Sequence, residues 1–495
     1  MWRGVRTLAR QSEGRYTMPV RQRVLAAFPP TLPHLLASPG SASSLVQSLS
    51  ISFFSTSASS VPWVGEKLTQ PASLFSSFAS HKRFLPLEEA SFSPRPYTCS
   101  AAPESEPKEL GQVPVELCPE TSNVPPHILQ QVSRRLHLQP QHPLNIVKRK
   151  LESFFRKPSL QASTGSPLPH AVFSTYDSFS PVVSLQQNFD DLLIPHDHVS
   201  RKRSETYYCD DLHVLRPHTS AHQTQLLRAG QSAFLVTGDC YRRDTIDASH
   251  NPIFHQTEGV RVFTREDLGY PKSDEEARKM VVQHMKATLE SLVAHIFGAD
   301  TPTRWVNEYF PFTDPSFELE IFFRDEWMEV LGCGAIHPQI LQNCGLGDRF
   351  GWAFGQGIDR LAMVLFQIPD IRLFWSMDRR FLDQFAQVTE DDEQLPVFQP
   401  FSKYPPCPKD ITFWLPSDRA YFENDFYELI RSVADDLIEE VVLLDDFVHP
   451  RSQRRSHCYR IVYRAMDRSL RNEEINELQE SVRAAVVNEL KVELR

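Results

Sequence analysis

From Val172 to Leu331 the chain runs in short stretches of aromatic and β-branched residues, broken every few positions by Pro, Gly, Asp or His. That texture bars an all-helical bundle and predicts an antiparallel sheet built from hairpins. It is interrupted once. Asp274 to Phe297 carries Ala277, Met280, Val281, Met285, Leu289, Leu292 and Ile296 at helical spacing, which predicts one long helix. Ahead of the sheet, Leu144, Ile146, Val147, Leu151, Phe154 and Phe155 predict a first helix ended by Lys157-Pro158. After a Gly-rich stretch, Ile358 to Phe366 reads as a buried helix. Beyond an acidic, proline-bounded segment from Thr389 to Pro400 come a strand (411–415), a helix (424–437), two strands (441–448 and 457–465), a helix (472–490) and a short terminal strand. This order spells β-α-β-β-α-β. The fold class is α+β, with two patterns that read as self-contained on either side of a linker.

The first 65 residues have a different composition: six arginines, no lysine, one acid (Glu13), and eleven serines between Ser38 and Ser60. Arginine-rich, serine-rich and acid-poor sequence at an N-terminus predicts a mitochondrial transit peptide. Without it the net charge of -10 becomes about -15, far from the blanket basicity of a non-specific nucleic-acid binder. RNA contacts must then come from local patches. Eight cysteines include no C-x-x-C pair, which argues against zinc and for a reducing compartment. No run of about 18 apolar residues occurs, so no membrane-spanning helix is expected. The expected organisation is 1–65 transit peptide, 66–125 low complexity, 126–388 catalytic domain, 389–400 linker and 401–495 C-terminal domain.

No P-loop and no G-x-G-x-x-G motif exists in the sequence, so any nucleotide must be held by another device. Asp239 to Glu258 reads as two strands around a polar loop, and period two puts Phe254, Gln256 and Glu258 on one face. On the residues alone this face either lines a site or meets solvent. The same period sets Phe310 beside Phe312, which by themselves read as core. Glu318, Glu320 and Glu329 are carboxylates in otherwise apolar strands. Gly351 to Leu361 passes from a small-residue strand into a helix with Arg360 in its first turn. A cation there opposes the helix dipole, which points to a bound anion.

Together these segments resemble a class II aminoacyl-tRNA synthetase, specifically the phenylalanyl-tRNA synthetases of the single-chain organellar type. The resemblance rests on His142-Pro-Leu, Gln187-Asn-Phe-Asp190, Leu215 to Gln223, Val236 to Glu258 and Gly351 to Leu361, and then on Lys403-Tyr-Pro405 and Asp410 to Trp414 leading into the C-terminal pattern. It implies a class II antiparallel catalytic domain followed by a ferredoxin-like anticodon-binding domain. The implied reaction is two-step: the carboxylate of L-phenylalanine attacks the α-phosphate of ATP, and the phenylalanyl group then passes to tRNA(Phe). ATP is a substrate, Mg²⁺ comes with it, and no zinc or other resident metal is implied. The expected protein is a monomer of the mitochondrial matrix, away from membranes.

The resemblance also implies roles. Arg242 grips the α-phosphate and the amino-acid carboxylate, Arg360 meets the γ-phosphate and covers the adenine, and Phe254 is the ring on its other side. His250 is the loop residue near the phosphates, flanked by Ser249 and Asn251. Phe310 and Phe312 meet the substrate ring, and Ala353 is the small residue at its far end. His218, Ser220, Ala221, His222, Gln223, Gln256, Thr257 and Glu258 surround the amino and carboxylate ends, and Glu329 and Phe354 line the same site.

From His449 to Arg471 there are seven arginines and one acid, Asp467. Arg451, Arg454, Arg455, Arg460 and Arg464 are expected to meet tRNA phosphates, with Tyr459 and Tyr463 available to stack on a base. The competing reading is a solvated charge run on an edge strand. For the whole chain the alternatives are a class II paralogue that passes its adenylate to another acceptor, or a catalytically silent RNA-binding module. With the chain used up by two domains, no second, hydrolytic site is expected.

Overall fold

A seven-stranded sheet organises the catalytic half. Its strands are β1 (Ser174–Tyr176), β4 (Ala233–Tyr241), β5 (Ile253–Phe263), β6 (Thr303–Phe310), β7 (Thr313–Phe323), β8 (Glu326–Ile336) and β9 (Phe350–Gly357). They lie side by side in the order β1-β4-β5-β9-β8-β7-β6. All neighbours pair antiparallel except β1 with β4, which are parallel. Two short strands, β2 (Val182–Ser184) and β3 (His213–Leu215), pair separately. The computed structural model describes residues 115–132, 134–161, 168–392, 394–401 and 404–495. The expected transit peptide (1–65) and residues 66–114 of the low-complexity stretch lie outside them.

Three helices cover one face of this sheet. Pro143–Arg156 begins where His142 Nδ1 accepts the Leu144 N–H, and Pro143 supplies a φ already suited to a first turn. Asp274–Phe297 is capped by Ser273, carries three acids in its first turn and ends at Gly298, whose φ of +99° few other residues adopt. With Ile358–Leu365 these helices close a core that includes Leu151, Phe155, Met285, Leu289, Trp352, Phe354 and Leu361. Phe155 stacks on Phe354 of β9 with centroids 5.6 Å apart, tying a helix to the sheet's covered face. No helix of the described residues is long and apolar enough to cross a membrane.

The C-terminal half follows the expected order. Strands β10 (Cys407–Trp414), β11 (Ile438–Val448), β12 (Arg455–Tyr463) and β13 (Glu493–Leu494) lie in the order β11-β12-β10-β13. Helices Glu423–Ala434 and Asn472–Leu490 pack on the sheet, and Phe413, Phe426, Tyr459, Ile461, Ile475 and Val482 fill the space between. The first helix was expected to reach Leu437 but stops at Ala434, followed by a tight 3₁₀ turn at 435–437.

The two halves are not self-contained in the way their sequence patterns read. The segment 389–400 is laid along the catalytic body: Lys150 Nζ donates to the carbonyls of Glu390 and Asp392, and Phe398 is buried with its N–H on Phe366 O. The Glu423–Ala434 helix also sits against catalytic residues. Glu428 accepts from Tyr207 Oη at 2.6 Å and pairs with His127 at 3.0 Å, and Asp425 pairs with Arg243 at 2.9 Å.

Candidate active site

Strand period two decides which side chains can meet above the sheet. Gln256 and Glu258 of β5 point into a cleft of about 520 Å³ including its open mouth, with Ala353, Phe354 and Gly355 from β9. Glu329, Gly332 and Cys333 of β8 form the next wall, and Phe310, Phe312, Thr313, His218, Ser220 and Arg242 complete the lining, with the His218 ring 6.4 Å from that of Phe312. Glycine makes the closeness possible: a Cβ on Gly332 would lie 3.0 Å from the Phe310 ring. On the helix-covered face, one on Gly259 would lie 2.1 Å from the Phe354 ring.

Phe310 and Phe312 stack with centroids 5.9 Å apart and planes 9° from parallel. Ser316 fixes the turn that carries them: its Oγ accepts the Phe310 N–H at 3.2 Å and meets Thr313 Oγ1 at 2.7 Å. The pair expected as core on spacing alone is therefore a cavity wall. Polar groups share the cleft with this pair. Burial raises the Glu258 carboxyl to about 8, partly offset by the Ser220 hydroxyl, and neither of its oxygens has a hydrogen bond of ordinary length. Burial, aided by Arg242 and His222, pushes His218 down to about 3, so its ring is neutral at physiological pH. Gln256 is held by the Thr219 N–H at 3.4 Å.

Arg242 leaves the end of β4 and donates from Nε to Pro217 O at 2.9 Å, with its guanidinium 4.9 Å from the Phe254 centroid. Burial lowers its pKa. Phe254, expected opposite Arg360, thus carries Arg242 on its face. Arg360 stands in the first turn of Ile358–Leu365 and makes no hydrogen bond or ion pair among the described residues; its neighbour Asp359 is bound to the His255 N–H at 2.5 Å. Asp359 joins that helix to β5 and so fixes where Arg360 begins. His250 lies in the loop between β4 and β5, outside the lining of the cleft. Its Nδ1 meets Asp247 Oδ2 at 2.7 Å, and that bond raises the imidazole pKa. Ser249 Oγ donates to Asp247, and Asn251 Oδ1 accepts the Ile253 N–H.

Several expected site residues are placed elsewhere. Thr257 points through the sheet to Thr237 Oγ1 at 2.9 Å, as its odd position in β5 requires. Ala221 packs with Val183, Phe189 and Val214. His222 lies face-on to Phe179 and bonds Arg216 Nη1 at 2.8 Å. Gln223 is buried at the start of a short helix and is not part of the lining. Conversely, Thr313, Gly332, Cys333 and Gly355 line the cleft without having been expected. Glycine inside a strand was the available signal for two of them.

The arginine-rich run also reads differently in three dimensions. β12 lies between β11 and β10 rather than at an edge. Tyr459 and Tyr463 point into the core, with their hydroxyls on Glu423 and Gln479, so neither is available to stack on a base. Arg455 pairs with Asp446, Arg460 with Asp410 through two bonds of 2.8 and 2.9 Å, Arg454 with Glu493 at 2.6 Å and Arg464 with Glu439 at 3.1 Å. Only Arg451 of the five has a guanidinium with no such partner among the described residues. Among those residues no three His, Cys, Asp or Glu side chains group as a metal site.

A mostly antiparallel sheet with one face helix-covered and the other cupping a polar cleft with Arg242 in its wall is the catalytic core of a class II aminoacyl-tRNA synthetase. Residues 131–385 match the family described as tRNA synthetases class II core domain (F), and 402–495 match the ferredoxin-fold anticodon binding domain. A mitochondrial phenylalanine–tRNA ligase of Mus musculus is 49% identical over 396 residues, covering 76% of this chain and 86% of that one. Similar proteins are the mitochondrial phenylalanine–tRNA ligase of Dictyostelium discoideum (45% over 418 residues, 77% and 90% covered) and the chloroplastic/mitochondrial one of Arabidopsis thaliana (49% over 375 residues, 76% and 83%). The chain belongs to the phenylalanine–tRNA ligase family.

Proposed function

We propose that this protein ligates L-phenylalanine to tRNA(Phe) through a phenylalanyl-adenylate, as a monomer in the mitochondrial matrix. The observation that carries the reading is one cleft lined both by the stacked Phe310–Phe312 pair and by the buried Glu258 carboxyl. An aromatic side chain fits against the rings, while an α-ammonium group gives Glu258 the charge partner it lacks. The compartment is supported by the mitochondrial names of the relatives and by the arginine-rich, acid-poor first 65 residues.

Adenylation brings two anions together and builds more negative charge at the α-phosphate, so fixed cations beside the reacting atoms lower the barrier. Arg242 is set between the amino-acid end of the cleft and Phe254, where it serves the carboxylate and α-phosphate. Arg360, with no competing partner among the described residues, serves the distal phosphates together with His250, which is held by Asp247. Neutral His218, Ser220 and Gln256 orient the amino-acid backbone. Mg²⁺ enters as part of the substrate with ATP. A magnesium carried on phosphates needs only one or two carboxylates, and Glu329 in the cleft fits that need. In the C-terminal domain Arg451, and the other four arginines once released from their carboxylates, supply phosphate contacts to tRNA.

The test is phenylalanine-dependent exchange of pyrophosphate into ATP without tRNA. Arg242→Ala should fold normally and lose about 10²–10³ in exchange rate, the usual worth of one oxyanion-type donor. Wild-type exchange in the variant would remove Arg242 from the phosphate site.

A further inference from the structure

The loop that presents His250 is held from outside the catalytic domain. Between β4 and β5, four consecutive carbonyls, those of Arg243, Asp244, Thr245 and Ile246, accept from residues of the C-terminal domain. Asn424 Nδ2 donates to Arg243 O at 3.0 Å, Arg431 Nη2 to Asp244 O and to Thr245 O at 2.7 Å, and the Val441 N–H to Ile246 O at 3.0 Å. The Ile246 side chain, 7% exposed, is a member of the C-terminal domain's own core cluster with Phe426, Ile430 and Val441. One residue further, Asp247 holds His250, and two further, Ala248 O accepts the Ile371 N–H at 2.9 Å.

A polar surface loop with a single apolar residue has no core of its own and pays ordering entropy whenever a ligand fixes it. Here that ordering is already done by the other domain. We propose that the C-terminal domain sets the ATP-facing loop of the active site, with Ile246 as the plug and Arg431 as the clamp, so that both are positioning residues for adenylate formation. Neither touches the cleft, and Arg431 belongs to a domain otherwise assigned to RNA. The inference rests on the reading of His250 and Arg242 as ATP-handling groups.

The experiment is steady-state pyrophosphate exchange on the full chain, with ATP and phenylalanine varied separately. In Ile246→Ala and Arg431→Gln the KM for ATP should rise about five- to tenfold, the size of an ordinary coupling between sites. The KM for phenylalanine should stay within about twofold, because the Phe310–Phe312 pair is untouched. Ile246→Val, which keeps a β-branched plug, should return the ATP value close to wild type. The two substitutions lie on opposite sides of the junction, so a folding defect in one leaves the other to decide. If both KM values rise together, or if neither moves in Arg431→Gln, the positioning role is wrong. Absence of phenylalanine-dependent exchange in the wild-type protein would instead sink the functional reading on which it stands.

Discussion

Glu258 and His218 face the same cleft and are both neutral at rest, for the same reason: burial penalises whichever form carries charge. For Glu258 the folded-state pKa, about 8, lies above that of an exposed glutamate, about 4.3. Its stabilising share is complete below the unfolded value and is lost as pH rises through the folded one. Glu258→Gln should therefore melt higher than wild type at pH 8 without ligand, while losing about 10² or more in kcat/KM, since an ammonium is left facing an uncharged amide. An arriving ammonium ion favours the carboxylate, so phenylalanine binding near pH 7 should release a proton. Calorimetry in buffers of different ionisation enthalpy reads this, and a binding enthalpy that ignores the buffer would show that Glu258 is already ionised. Nearby, Gly259 is a glycine because of the Phe354 ring. Gly259→Ala should cost about 1–3 kcal/mol through overpacking, because Phe155 behind the ring blocks its retreat. An unchanged melting temperature would mean that the Phe354 ring has room to shift.

Among elements, the pairing of β12 with its neighbours makes the clearest prediction. Surface ion pairs are worth about 0–1 kcal/mol each, enough to compete with a phosphate but not to exclude it. Asp410→Asn frees Arg460 on the exposed sheet face and should tighten tRNA binding and steepen its salt dependence by up to about one unit of slope. Weaker or unchanged binding would move the RNA surface away from that face. The sequence displayed elements long enough to keep one period. Asp274–Phe297 was readable because its apolar residues keep one helical spacing from Ala277 to Ile296, and Ser273 and Gly298 close its ends in the structure. The parallel β1 was not, since three residues have no period to read. In β12 the arginines obscured an inward phase at His457, Tyr459, Ile461 and Tyr463, and the tyrosines were taken for surface groups. At the site, alternation put Glu258 on a polar face and read Phe310 and Phe312 as core, and the family resemblance alone moved that pair to the cleft. Thr313 and Cys333 were not, because which strand lies opposite which is a long-range fact that local pattern does not carry.

At the scale of the whole molecule, one buried carboxylate joins the halves. Burial alone would raise Glu428, but His127, Arg431 and Tyr207 hold it below the usual carboxylate range. A depressed pKa gives stability that is present above the unfolded value, about 4.3, and is lost as pH falls through the folded one. The contact between halves should thus weaken below about pH 4. Glu428→Ala should cost about 3–5 kcal/mol, because the buried Arg431 keeps its charge without a carboxylate beside it. Thermal unfolding followed at several pH values checks both, and an acid-insensitive midpoint in the wild type would discount Glu428. The carboxylates that sit on Arg454, Arg455, Arg460 and Arg464 have a further consequence for the reaction cycle. On the proposal that these arginines meet tRNA, a phosphate landing there would displace an acid, and on departure of the charged tRNA each guanidinium would fall back onto its own partner instead of waiting bare. Grip would be weaker than bare arginines would give, but the barrier to letting go lower, which would suit a ligase whose product must leave once per turnover.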